Sequence, residues 1–340
     1  MQTMKISVAM AAYNGEAYIR EQLDSIAKQT LLPDELVITD DSPDRLTEDA
    51  INAFKVTSPV RIDYYRNETR QGFPENFFKA IGLCKGELIA FADQDDVWMP
   101  RKLELMTAQF ADPEVMLVTH KVTIVDSQLK VKEDLDDNHW SYVGTFEPLQ
   151  TDPWYLLFGM SAMVRGALFR VTDLKVRPLD FSRDGLASHD MWAWFMGGAL
   201  GKIVGLPDKL ALYRQHAVSV VGAPKQSSLA ARIAYSIKTG RSHYDKMASI
   251  SHDRAKVLSQ VTQPDLAARA RAAETFYMVL YQQNADRASL YAPEKTLIER
   301  ASAGLRLLRK AGYRPQAQGG FGLKALFKDL FLFLLVRRVA

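Results

Sequence analysis

The sequence predicts an α/β fold, a largely parallel sheet with helices on both faces, followed by an all-helical region. Three observations carry this. Apolar runs alternate with stretches of helical spacing through the first half of the chain. Acidic residues stand at the ends of two of those runs, and beyond about residue 224 the pattern is helical only.

In order, "KISVAMAAYN" is a strand ending in a turn, and "GEAYIREQLDSIAKQT" a helix with Tyr18, Ile19, Leu23 and Ile26 near helical spacing. "DELVITDDS" is a strand with acid at its C-terminal end, "RLTEDAINAF" a helix, and "VRIDYYRN" a strand. "PENFFKAIGLC" and "PRKLELMTAQF" are helices opened by proline, which suits the first helical turn. Between them lies the strand "GELIAFADQDD", and after them "VMLVTHKVTIVD", a fifth strand with room for a bend. Residues 130–160 carry little pattern, and "EDLDDNH" reads as an exposed loop. "SHDMWAWFMGGAL" is a helix, and "GKIVGLPDKLALYRQH" forms one or two strands ending at His216. The turn-rich "VSVVGAPKQSS" marks a boundary, so the expected domains are 1–223 and 224–340. The second holds helices at roughly 228–261, 265–292, 294–312 and 321–338.

Composition bounds the function. The single cysteine, Cys84, excludes an intramolecular disulfide framework and fits a reducing cytoplasm. The N-terminus runs straight into a strand, with no signal peptide in view. The net charge of +3 hides an asymmetry: residues 1–223 carry 23 Lys/Arg against 32 Asp/Glu, and residues 224–340 carry 20 against 8. A basic helical tail suits an anionic membrane surface. Its apolar run, Leu330 to Val336, is far short of the roughly 20 residues of a spanning helix. Packing on the first domain and pairing between subunits in a homo-oligomer are the competing uses. Nucleic acid is disfavoured, because aromatic residues are not interleaved with the basic ones.

In parallel sheets ligands bind beyond the carboxyl ends of the strands, where Asp40/Asp41 and Asp93/Asp95/Asp96 fall. Like charges so close demand a positive partner. Asp-x-Asp at a strand end fits Mg²⁺ or Mn²⁺, whose remaining positions are filled by water and substrate phosphate. Neither a Walker A sequence nor a GxGxxG is present to cradle phosphate instead. An isolated Asp-x-Asp fits a solvated acidic loop better than a metal site.

It is not isolated. "SVAMAAYNGEAYIREQLDSIAKQT", "ELVITDDSPD", "RNETRQGFPENFFKA", "GELIAFADQDDVWMPRKL", "SHD" and "YRQH" together resemble the family-2 glycosyltransferases, inverting enzymes of the GT-A fold, over about residues 4–220. "DQDDVW" with "YRQH" is most similar to bacterial O-antigen and capsule enzymes, rhamnosyltransferases among them. Two departures stand out: Ala11–Ala12 where the family often has Thr or Ser, and "DDSPD" in place of Asp-Asp-Gly-Ser-x-Asp.

The resemblance implies a mixed sheet flanked by helices and a nucleotide-diphosphate sugar donor, dTDP-rhamnose or a UDP-hexose. The acceptor would be a glycan or a lipid-diphosphate-linked glycan; with such an acceptor, the basic tail leads to the expectation of a peripheral enzyme on the inner face of the plasma membrane. It assigns the nucleotide to Ala11, Tyr13, Asp41, Asn67, Gly72, Asn76 and Asp93, with Asp41 accepting from the base and Tyr13 flanking it. Turn chemistry explains the Asp and Asn positions as well. Asp95 is the expected direct metal ligand, and Asp93 contacts sugar or ribose, or the metal through water. Asp96 braces the loop, and Trp98 is a core residue or an apolar wall. His216 completes the metal shell or contacts the diphosphate, beside Arg214. Arg70 is a phosphate partner or a solvated side chain. Asp190, at a helix start, is the expected general base, tuned by burial or by His189. Two alternatives remain: a sugar nucleotidyltransferase, which normally carries a Gly-rich basic loop absent from "AAYNGEAYIRE", and a non-catalytic glycan- or membrane-binding module.

Overall fold

The computed structural model describes residues 4–132, 142–182, 184–215, 229–315 and 319–335, with backbone only for 229–239 and 331–335. The expected loop at 133–139, the boundary loop and His216 lie outside these residues.

Among the described residues a nine-stranded mixed sheet organises the chain up to Arg214. Strands β1 (Ile6–Ala12), β2 (Glu35–Asp40), β3 (Ile62–Arg66) and β4 (Leu88–Asp93) are parallel, and β1 lies between β2 and β4. Helices α1 (Ile19–Ala27), α2 (Leu46–Lys55) and α3 (Phe73–Leu83) connect them. β1, β2 and β4 read as nearly continuous apolar runs because both sheet faces are covered. Val8, Met10, Ile38, Leu88 and Ala90 meet Ile19, Leu23 and Ile51 in one core.

Past β4 the order changes. A two-residue strand β5 (Val97–Trp98) precedes α4 (Lys102–Gln109) and the long β6 (Val115–Val125). β7 (Gly144–Phe146), β8 (Ala162–Arg165), α5 (His189–Leu200) and β9 (Lys202–Arg214) follow. β8 runs antiparallel between β4 and β6, and β9 pairs with β5, β6 and β7. The expected bend in the fifth strand appears as register shifts of β6 against β9 around His120–Val122. β9 is one strand of 13 residues. β5, β7 and β8 had no separate sequence signal, since four residues or fewer cannot display an alternation.

The chain divides into two compact units. One comprises Met1–Glu147, Leu156–Val171 and Ser188–Ala223, and contains the sheet. The other comprises Pro148–Tyr155, Thr172–Ala187 and Pro224–Ala340, with helices α6 (Leu229–Leu258), α7 (Ala267–Leu290), α8 (Leu297–Arg309) and α9 (Leu323–Leu335). Arg254 of α6 helps tie Pro148–Tyr155 into that unit, donating to the Pro153 carbonyl at 2.8 Å with its guanidinium 4.7 Å from the Trp154 ring. Among the described residues no helix is long and apolar enough to cross a membrane.

Candidate active site

Strand register assembles the site. Ala11 of β1 is level with Thr39 of β2 and with Asp93 of β4, so three parallel strands end together. Beyond them opens a cavity of about 660 Å³ lined by Tyr13, Asp41, Ser42, Pro43, Arg66, Asn67, Glu68 and Arg70. It lies where open parallel sheets bind ligands.

The two acids ending β2 divide their work. Buried Asp40 accepts from Ser42 N and Oγ at 2.8 and 2.6 Å and from the Tyr64 hydroxyl at 2.9 Å. Asp41 accepts from Asn67 Nδ2 at 2.6 Å and from the Gln71 and Gly72 amides at 3.0 and 2.8 Å. Its carboxylate thereby holds the 67–72 loop in place. Gly72 is needed there: its φ of +84° is a conformation that L side chains rarely adopt. Asn76 does not reach the cavity; its side chain donates to Ala12 O and Thr39 O and accepts from Asn67, stitching α3 to β1 and β2. Tyr13 and Arg70 do line the cavity, with the guanidinium 4.1 Å from the ring centroid.

Around the other acids, charge is unevenly balanced. Asp93 keeps partial exposure at the end of β4. Desolvation, then the carboxylates of Asp95 and Asp190, push it up to about 7 against the pull of Lys102. Fully buried Asp96 accepts from Arg214 N at 3.0 Å through Oδ1, while its Oδ2 has no hydrogen-bond partner among the described residues. Burial, with Asp93 and Asp95, holds its carboxyl well above the usual range. Asp190 lies in the first turn of α5 and accepts from Ser188 Oγ and from Met191 N. Its carboxylate is among the charges that raise Asp93, so the expected base and Asp93 lie within electrostatic range of each other. His189 stacks on Phe77 at 3.8 Å and meets Phe91 edge-on at 4.9 Å.

Arg214 takes different partners from those expected of a diphosphate ligand. It is buried and donates to Asp95 O and Ser127 O, each at 2.7 Å, and to Glu21. Its charge is paired with Glu21, and its Nε and backbone N–H hold the Asp95–Asp96 turn. Trp98 is core, 2% exposed.

Lys102 escaped the sequence reading. Fully buried, it donates to Met160 O at 2.6 Å and stands 3.7 Å from the Trp98 ring centroid. Burial lowers it to about 7, with Asp96 and Asp93 opposing. His120 is held well below its ordinary value by burial and by Lys102. The signal available was the spacing of Lys102, Met106 and Phe110, which puts a lysine on the apolar face of α4.

Among the described residues no group of three or more His, Cys, Asp or Glu is arranged to hold a metal. The residues nonetheless fit a hard cation that shares its shell with substrate phosphate: carboxylates in excess of buried cations, and one buried oxygen without a donor.

Residues 7–171 match the model of Glycosyl transferase family 2. An uncharacterized glycosyltransferase from Nostoc sp. is 30% identical over 224 residues, 63% of this chain and 65% of that protein. The Escherichia coli UDP-Glc:α-D-GlcNAc-diphosphoundecaprenol β-1,3-glucosyltransferase is 28% identical over 127 residues, 37% of this chain and 49% of that protein. The chain thus spans less than two thirds of the length of these relatives. Staphylococcus aureus TarS 1–349, solved with UDP-GlcNAc, superposes with a TM-score of 0.54 at 18% identity, over 92% of this chain and 93% of that one. That likeness establishes the shared GT-A-like fold.

Proposed function

We propose that this chain, a glycosyl transferase family 2 protein through residues 7–171, transfers one sugar from a nucleoside-diphosphate sugar to a glycan acceptor with inversion at the anomeric carbon. One observation supports this above the rest: β1, β2 and β4 end level with one another, with Asp93 closing β4 and the cavity lined by Tyr13, Asp41 and Arg70 following β1 and β2.

In this reading Tyr13 and Arg70 hold the base end of the donor, and Asp41, Asn67, Gly72 and Asn76 keep the cavity's shape. The acceptor hydroxyl attacks the anomeric carbon from the side opposite the diphosphate. Asp190 takes the hydroxyl proton as the new C–O bond forms, and the electron pair of the old C–O bond leaves with the diphosphate. One base suffices for a single displacement. Asp93 and Asp95 would hold Mg²⁺ or Mn²⁺, with His216 as a further candidate, and the ion would neutralise charge on the diphosphate. Arg214 keeps the turn that presents Asp95 in place.

Residues 1–223 carry this chemistry in our reading, and residues 224–340 attach the protein to the cytoplasmic face of the plasma membrane. There the acceptor is a lipid-diphosphate-linked bacterial surface glycan. The lipid-linked acceptor named for the E. coli relative and the basic tail favour that acceptor. UDP-hexose and dTDP-rhamnose are the donors to test first.

Thermal unfolding with UDP-, dTDP- and GDP-sugars, each with Mn²⁺, Mg²⁺ or EDTA, tests the reading, since a ligand of the folded state raises the midpoint. A rise with one donor that EDTA removes is the expected result. Well-folded protein that ignores every donor would overturn it in favour of a non-catalytic module.

A further inference from the structure

The helical unit contains an inversion. α9 reads "LKALFKDLFLFLL", and its only acidic residue, Asp329, points inward. Arg287 Nε stands 2.8 Å from Asp329 Oδ2, and Arg287 NH2 donates to Oδ1 at 3.0 Å. The hydroxyls of Tyr291 and Tyr313 donate at 2.7 and 3.0 Å. The Arg287 guanidinium is itself enclosed, 4.4 Å from the Tyr244 ring and 4.2 Å from that of Phe321.

This clamp fixes which way α9 faces. At 3.6 residues per turn, Leu323, Lys324, Phe327 and Leu330 lie roughly 100° or more around the helix from Asp329. All four are exposed, Phe327 by 68%. A helix that merely completed a bundle would put its aromatic and leucine face inward and its aspartate in water.

α8 repeats the arrangement independently. Arg300, Ala303 and Leu307 are buried, with Arg300 Nε donating to Leu290 O at 2.9 Å. Leu297, Ile298, Leu305 and Leu308 face outward, Ile298 by 80%. Exposed Arg309 and Lys310 close the helix at its C-terminal end.

We propose that the outward faces of α8 and α9 are a docking surface for an anionic lipid bilayer. Leu323, Phe327 and Leu330 enter below the headgroups while Lys324 meets their phosphates. Charge selects this occupant. Residues 224–340 carry 20 Lys/Arg against 8 Asp/Glu, which attracts an anionic surface. A second copy packed face to face would bring like charge against like. Large apolar residues beside lysine and arginine are the pattern of a helix lying in a membrane interface. The proposal builds on the membrane attachment proposed above, and its test does not depend on sugar transfer.

The experiment is flotation of the full chain with vesicles of phosphatidylcholine alone or of phosphatidylcholine with phosphatidylglycerol, at low and high salt. The wild type should float with the anionic vesicles, less so in high salt, and poorly with the neutral ones. The double variant Phe327→Ser/Leu330→Ser should lose about tenfold in partitioning, and Lys324→Glu about fivefold. Thermal midpoints equal to wild type would show that both variants are folded.

Anionic vesicles that leave the wild type behind would overturn the proposal, as would folded variants that float as well as it does. A wild-type dimer that Phe327→Ser/Leu330→Ser dissociates, with vesicles ignored, would assign the face to a second copy. Failure of the transfer reading looks different: flotation persists while no sugar nucleotide moves the midpoint.

Discussion

Two buried groups of charge, one in each unit, are built on opposite terms. In the helical unit, both oxygens of Asp329 are answered by Arg287, Tyr291 and Tyr313. At the sheet edge, Asp93 and Asp96 have Lys102 as their buried lysine, with the Asp95 carboxylate acting on both, and one oxygen of Asp96 meets no donor among the described residues. A buried charge costs free energy unless it is paired. The first group is complete in itself and fixes a helix. The second is left with two carboxyls driven toward their protonated form, which suits a site that receives a cation and a diphosphate.

The largest expected effect falls on the incomplete group. Asp190→Asn keeps shape and hydrogen bonding but cannot accept a proton, so turnover should drop about 10²–10⁴-fold with donor binding retained. Stopped-time transfer assays alongside donor titrations would check this. Full activity in the variant would remove Asp190 from the mechanism and leave these carboxyls without a catalytic use. In the complete group, Asp329→Ala strands Arg287 in the interior and should cost about 3–5 kcal/mol of stability. Chemical denaturation reads that cost, and a change well below it would mean the clamp is not what orients α9.

The incomplete group should also respond to pH. Asp93 titrates near 7 in the folded chain against an ordinary 3.8, so the native state keeps a proton that the unfolded state has lost between those values. Stability of the metal-free protein should therefore fall as pH rises from about 4 to about 7. The loss is complete above that window. Denaturation of wild type and Asp93→Asn in EDTA across this range gives the comparison. The variant's curve should be flatter, and identical slopes would show that Asp93 is not the strained member.

How much of this could be read from the sequence differs between the two groups in the same way. The parallel strands and the acids at their ends were legible, because apolar runs and Asp-x-Asp are local patterns. Asp190 joined them through the resemblance, since nothing near "SHD" says which strand end it faces. Lys102 was missed because a lysine after "WMPR" reads as an ordinary helix start; its spacing with Met106 and Phe110 marks the apolar face of α4, and packing adds the Trp98 ring as its neighbour. Arg214 was expected at the diphosphate because "YRQH" ends a strand there. Its partners, Glu21 and Ser127, are far away in sequence and could not be foreseen. The clamp was invisible for the same reason: Asp329 interrupts an apolar run, and the run alone does not say that the aspartate is the buried residue.

The smallest effect tests where Asp41 belongs in this comparison. Its carboxylate already accepts three N–H groups from the 67–72 loop, which places it with the complete group although it lines the cavity. If that is its role, it shapes the donor site and the direct affinity for the base comes from its neighbours. Arg70 and Tyr13 are the candidates, since the guanidinium and the ring already stack 4.1 Å apart on the cavity wall. A cation–π contact at an exposed site contributes about 0.5–1 kcal/mol. Arg70→Ala should therefore raise the KM for donor by about two- to fivefold and leave kcat unchanged, the pattern of a contact made equally in ground and transition states. A fall in kcat instead would move Arg70 from the base to the diphosphate. Its charge would then belong with the acids of β4.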